Sequence, residues 1–451
     1  MKYSRLTLRS VFPCPKGSPM KLKRNTLALG LLAALVAPAA HAEIVIDVIG
    51  GSEVSFEGLF QADGNRYSSD FTDLNGAVGA NGKDSEFGIR RAEVIFKGKG
   101  PNNFEWTLGY DASTFKSIAI RNTPTGAATT TVTSTGKWLD ANIKYKFGNN
   151  ANHFVQIGQF KQPNSMEELS STRFNDFIAK ASVTNAFGVA RRTGIAYRYG
   201  DVNWGVTASY FGRELTRNLA HGSGFGIRGN WAPINETGNI LHFGLSYLDF
   251  DTDADSVQIR ARPLADLATV RLVDTGSLRN TDRQTTIGAE AMWVKNQFKV
   301  QAEYMRSNID RYATRPFNPL TSSDFTGSSW YVTGLWNVTG ETWGYKDGVP
   351  TTILPDDPSS GMWQLGLRYD KIDLNDGNLR PGATPTAAPI VNGVLGGEMD
   401  SWTVGANLYW RSNFKFMLNY VKINSSRYNS TLRRVVDDNP NIIEARAQFY
   451  W

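Results

Sequence analysis

The sequence predicts an all-β protein, a sixteen-stranded antiparallel transmembrane β-barrel with long outer loops, on three observations. Apolar and polar residues alternate with a period of two along almost the whole chain, the segments between these runs alternate between long and short, and the last run ends in aromatics at Phe449 and Trp451. Successive side chains on a strand point to opposite faces, so sustained alternation means a different solvent on each face. Lipid outside and water inside also accounts for a mean hydropathy of −0.33 in a chain that is 12% aromatic.

In chain order, the first 42 residues are read as an export signal. Lys21, Lys23 and Arg24 precede the apolar run Leu27 to Ala40, and Ala40-His41-Ala42 offers small residues for cleavage after Ala42. Met20 opens the basic cluster, so residues 1–19 read as an over-called start, and residues 43–451 form one barrel domain. Past the signal there is no apolar run of about 18 residues, hence no membrane helix.

Sixteen strands are expected near 53–64, 86–98, 103–112, 138–147, 153–160, 192–199, 202–211, 225–231, 240–248, 286–294, 297–306, 329–338, 362–372, 401–410, 413–422 and 442–451. Phe104, Trp106, Leu108 and Tyr110 share one face, as do Trp402, Val404, Ala406, Leu408 and Trp410, and then Phe414, Phe416, Leu418 and Tyr420. Aromatics at the ends of such stripes mark the two membrane interfaces. Gaps at 65–85, 113–137, 161–191, 249–285 and 373–400 are long, whereas Gly200-Asp201, Lys295-Asn296 and Arg411-Ser412 are tight. Only 339–361 is long where a periplasmic turn is expected.

Charge and composition exclude several classes. Seven of the 48 Lys and Arg lie in residues 1–42, which hold no Asp or Glu, leaving 41 against 42 acidic residues. That balance gives no footprint for nucleic acid. Cys14 leaves with the signal, so no disulfide, thiolate metal site or cysteine nucleophile is expected. The histidines that remain, His153, His221 and His242, have no metal-ligand spacing, and no cofactor is expected. His242 is the one residue that could serve a barrel lipase, the remote enzymatic alternative, beside an adhesin. Asp249, Asp251, Asp253 and Asp255 are spaced like a calcium loop but lack glycine at position six, which favours a solvated loop. Gly222 to Gly226 precedes a strand and reads as a hairpin rather than a phosphate cradle.

Several segments resemble the phosphate-selective porins O and P, from about residue 53 to the C-terminus. They are Gly88-Ile89-Arg90-Arg91-Ala92-Glu93, Gly158 to Lys161, Glu167 to Ser171, and above all Ala232-Pro233-Ile234-Asn235-Glu236-Thr237-Gly238-Asn239-Ile240-Leu241-His242. The resemblance implies a trimer of sixteen-stranded barrels in the outer membrane of a Gram-negative bacterium, each with its third loop folded into the pore. It places Arg90, Arg91 and Asp140 at the constriction, with Ser170, Ser171, Thr172 and Arg173 on the third loop. It makes Arg260 and Arg262 rungs of an arginine ladder, and Arg271 lies in the same basic run of loop five. Glu168 departs from the pattern, standing where phosphate-selective members carry a pore lysine.

The implied function is passive passage of small anions, phosphate, pyrophosphate or polyphosphate, with membrane lipid and lipopolysaccharide as neighbours. Glu168 and the near-neutral charge favour the alternative, a general or carboxylate/sugar porin. Arginine suits an anion filter because its planar fork donates paired bonds to oxyanions. Adjacent Arg90 and Arg91 should point to opposite faces, so both reach the lumen only if the strand bulges there.

Overall fold

The computed structural model describes residues 44–49 and 52–451, apart from 75–83, 114, 124–125, 135, 216–221, 253–254, 313–323, 353, 383 and 385–386. The expected export signal therefore lies outside the described residues. Sixteen strands make one wall: β1 (Ser52–Ser68), β2 (Ser85–Lys99), β3 (Phe104–Asp111), β4 (Lys137–Lys146), β5 (Phe154–Lys161), β6 (Arg191–Gly200), β7 (Trp204–Phe211), β8 (Gly224–Glu236), β9 (Asn239–Asp251), β10 (Thr281–Lys295), β11 (Phe298–Arg311), β12 (Phe325–Asn337), β13 (Met362–Arg380), β14 (Ile390–Trp410), β15 (Phe414–Asn429) and β16 (Asn441–Tyr450). Each pairs antiparallel with the next, and β1 pairs with β16 from Leu59 opposite Tyr450 to Ser68 opposite Asn441. Closure leaves no unpaired sheet edge to face lipid.

Every strand coincides with one of the expected runs, and the differences are in length. β13 and β14 continue as a paired ribbon past a bulge, Asn375 opposite Leu395 to Arg380 opposite Ile390, so the seventh outer loop is 381–389 rather than 373–400. The second outer loop carries its own hairpin, Phe115–Thr123 against Gly126–Ser134.

The wall is inside-out relative to a water-soluble protein. On β15 and β16, outward Leu418 and Ile443 are about half exposed, at 53% and 52%, whereas inward Asn419 and Glu444 are 1% exposed. Trp330, Tyr369 and Trp402 stack across the outer end of the apolar band, and Trp410, Phe414, Phe449 and Trp451 across the inner end. Gly58 makes room for the terminal ring: a Cβ there would lie 2.1 Å from Trp451.

Three inserted segments cover the inward polar residues. The third loop, between β5 and β6, carries helix α1 (Met166–Leu169), a 3-10 turn (Thr172–Phe174) and helix α2 (Ser182–Phe187). Loop five joins β9 to β10, and its Leu264 and Leu272 pack with Val183 and Phe187 of α2 against inward Met305, Phe325, Ile372 and Met399. From the periplasmic end, the long connection between β12 and β13 sends in a hairpin, Trp343–Lys346 paired with Val349–Thr352. Its Trp343 packs with Met166 and Phe177 of the third loop. The apolar parts of all three segments thus fill the side of the lumen against β8 to β15.

Candidate functional site: a charged passage along one wall

The space left open runs beside β1 to β6. An outer cavity of about 170 Å³ is lined by Arg90, Arg91, Lys137, Lys180, Arg191 and Arg446, with Glu168, Glu214 and Asp266. A middle chamber of about 630 Å³ carries Lys97, Lys144, Lys161, Arg173 and Arg191, with Glu57, Glu93, Glu105 and Asp140. Thr172 and Arg191 line both, so they stand where the two meet. A chamber of about 370 Å³ follows at the periplasmic end, where hairpin residues Lys346 and Asp347 meet Lys97, Lys144 and Lys146. Cations outnumber acids in each chamber, six to three, five to four and five to three.

Both arginines of the adjacent pair line the outer cavity, because β2 bulges between them. Arg91 pairs with Gln61 and Ile89 with Ala62, so Arg90 is the extra residue. The bulge flips the parity of the strand: Ile89 faces outward before it and Val94 after it. Arg90 Nε donates to Asp266 Oδ2 at 2.9 Å, and Arg91 Nη1 to Glu93 Oε1 at 2.7 Å.

Asp140, on β4, accepts two bonds from Arg191 of β6, from Nε at 3.0 Å and Nη2 at 2.7 Å. Arg173 donates to Glu57 Oε2 at 2.6 Å. Ser171 and Thr172 line the middle chamber. Ser170 does not present its hydroxyl there; it donates to Met166 O at 2.7 Å and closes the last turn of α1.

Glu168 points at Lys180, with which it forms an ion pair. Burial alone would raise its carboxyl, but Lys180 and Lys161 outweigh burial and hold it down at about 2. Lys161 itself donates to the backbone carbonyls of Glu168 and Ser170. Neither lysine is marked as a site residue by sequence alone, because their approach to residue 168 depends on how the third loop folds.

The loop-five arginines separate. Arg262 Nη1 lies 3.8 Å from Asp266 Oδ1 and so joins the outer cavity's charge network. Arg260 is exposed on a two-residue strand of the loop, and Arg271 lines a pocket of about 290 Å³ beside Arg427 at the outer end. Burial and neighbouring Arg262 and Arg260 lower Arg271 to about 9.

Two further residues, Arg446 and Asp266, hold the site together. Arg446, 1% exposed on β16, grips Asp63 with two bonds of 2.6 Å, Ile178 O of the third loop at 3.0 Å and Asp266 of loop five at 3.2 Å. Asp266 binds Arg90 and Arg446 together, and these arginines with Arg262 overcome burial to keep its carboxyl well below the usual range. Further anchors seat the third loop on the far wall: Arg368 to Ala179 O, Asn407 to Asp176 O and Lys415 to Asn175 O. As for the other candidates, Asp249 pairs with Arg283, and residues 253–254 of the aspartate run lie outside the described residues. His242 bonds Tyr345 and Glu290.

A closed sixteen-stranded barrel with aromatic girdles, inward-folded loops and a charged passage is the architecture of an outer-membrane porin. The chain matches the sequence profile of the phosphate-selective porin O and P family over residues 60–451 and belongs to that family. It is 24% identical to Porin O of Pseudomonas aeruginosa over 420 residues, 86% of this chain and 88% of that one. An uncharacterized protein of Caulobacter vibrioides is 28% identical over 305 residues, 63% of this chain but only 56% of that relative's length. Among solved structures, the outer membrane channel DcaP of Acinetobacter baumannii superposes with a TM-score of 0.51 at 11% identity, covering 90% of this chain and 99% of that one. That likeness supports the barrel fold alone.

Proposed function

We propose that this porin passes small anions by passive diffusion, with phosphate-type oxyanions as the favoured class. The observation that carries the reading is the disposition of charge in the open passage. Five of its carboxylates are engaged by cations, Asp266 by Arg90, Glu93 by Arg91, Asp140 by Arg191, Glu57 by Arg173 and Glu168 by Lys180, while the cations remain in excess. Lys161 lines the middle chamber, and its hydrogen bonds go to the carbonyls of Glu168 and Ser170. The charge reversal at position 168 is offset by the ion pair with Lys180, which favours the anion reading over a general or carboxylate/sugar porin. A partly dehydrated oxyanion at Thr172 would meet guanidinium and hydroxyl donors in place of water. Near-balanced pairs suit conduction, since an uncompensated arginine cluster would trap the anion it attracts.

Under this reading Arg90, Arg91, Arg191, Thr172 and Arg173 line the filter, and Arg260, Arg262 and Arg271 bias the outer mouth toward anions. We further infer export through residues 1–42, assembly as a homotrimer and contact with lipopolysaccharide at the outer girdle. The decisive measurement is the zero-current potential of the purified mature protein in a planar bilayer under a potassium chloride gradient, followed by addition of phosphate. Anion preference with conductance reduced at low phosphate is expected. Cation preference would overturn the anion reading, and anion preference indifferent to phosphate would restrict it to a general anion channel.

A further inference from the structure

Two oddities of the sequence meet inside the barrel: the long periplasmic connection 338–361 and an inward histidine, His242. The Tyr345 hydroxyl, on the inserted hairpin, lies 2.7 Å from His242 Nδ1. Burial pushes that hydroxyl up to about 12, so it stays protonated and donates. His242 Nε2 is then the nitrogen that carries hydrogen, and it donates to Glu290 Oε1 at 3.1 Å. Arg228 completes the grip on this end, bonding Glu290 at 2.9 Å and the hairpin's Gly348 O at 2.6 Å.

Glu290 stands directly opposite Glu303 across the β10–β11 ladder. Glu303 is the seat of the third loop: it accepts from Ser165 Oγ at 2.8 Å and from the backbone N–H of Met166 at 3.1 Å and Glu167 at 2.7 Å. His242, Glu290 and Glu303 are 0%, 7% and 2% exposed, so electrostatic effects between the two glutamates are poorly screened. Facing carboxylates repel, and each is tolerated because donors arrive from its own side. Wall residues Arg228 and His242 supply Glu290, His242 being held in turn by the hairpin's Tyr345, and the third loop supplies Glu303 together with Tyr331 of β12, whose hydroxyl donates at 2.8 Å. A donor lost on one side therefore changes the field in which the other side's carboxylate binds its partners.

We propose that the periplasmic hairpin 343–352 positions the third loop through the Tyr345–His242–Glu290–Glu303 series, so that the width at Thr172 is set partly from the periplasmic end. The residues of the series lie on the filled side of the lumen, away from the passage, and act on permeation only through the loop. Trp343 adds a direct contact, since it packs on Met166 of α1.

The test is a double-mutant cycle on single-channel records in planar bilayers, using folded barrels selected by heat-modifiable gel migration. Tyr345→Phe keeps the ring and removes one hydroxyl, and Ser165→Ala removes one donor to Glu303. Each should raise the occupancy of a wider substate about fivefold, the ratio that loss of one buried hydrogen bond corresponds to. The double variant should fall short of the product of the two, because both act on one coupled series. Glu290→Gln, which removes the repulsion but keeps the one oxygen that Arg228 and His242 use, should restore narrow-state occupancy in the Tyr345→Phe background. Wild-type occupancy in Tyr345→Phe, or multiplicative effects in the double variant, would overturn the proposal.

Discussion

The two sides of this lumen are built from opposite chemistry. Against β8 to β15, Phe187, Leu264 and Leu272 of the inserted loops meet inward Met305, Phe325, Ile372 and Met399 in an apolar pack. Against β1 to β6 the same loops present Thr172, Arg173 and Lys180 to Arg90, Arg91, Lys161 and Arg191. Packed cores resist continuous deformation, so the first side fixes how wide the passage is. Charges at a narrow point fix which sign of ion enters it. One loop serves both because α2 buries an apolar face while the turn before it, Thr172–Phe174, carries the polar edge.

Changes on each side should therefore move different observables. The largest selectivity effect is expected from Arg90→Ala with Arg91→Ala. The outer cavity would fall from six cations against three acids to four against three, while Glu93 just inside would lose its partner. The zero-current potential should shift strongly toward cations, with conductance in saturating salt little altered. Unchanged selectivity would mean the bulged pair is structural and the filter lies elsewhere. Next in size is Phe187→Ala on the filled side. Phe187 is 2% exposed, and truncating a buried phenylalanine costs about 3–5 kcal/mol. Lower denaturant resistance and noisier, larger currents should follow with the ion preference unchanged; a change in preference would show that packing and charge are not separable here.

How much of this was legible in the sequence follows from the range of each signal. Alternation is local, so all sixteen strands could be read, and the bulge at Arg90 could be named as the condition for both arginines to face inward. The length of 339–361 was equally visible, but not that Trp343 would bury itself on Met166, since loop composition carries no address. Asp266 could not be read as the partner of Arg90, because 176 residues separate the two. Lys161 was read as part of a family-like segment, and its approach to the carbonyl of Glu168 depends on the turn of α1. The family resemblance placed Ser170 at the filter, but the helix end takes up its hydroxyl.

The smallest expected effect sharpens the comparison most, because Glu168 belongs to both sides. It is 9% exposed, caps no part of the passage on its own, and is neutralised by Lys180. Glu168→Gln should raise anion preference, since Lys180 loses its counter-charge, but by less than the arginine changes lower it. The same substitution should alter acid stability. With its carboxyl held near 2 against an ordinary value of about 4.3, Glu168 stabilises the folded loop fully above the ordinary value. That contribution, on the order of 3 kcal/mol, is lost as pH falls from there through about 2. Hydrogen exchange of residues 162–190 should thus quicken between about pH 4.3 and 2 in the native chain, and Glu168→Gln should lack this step. An identical acid profile in the variant would mean that Glu168 is solvated and free, returning its negative charge to the passage and favouring the general-porin alternative.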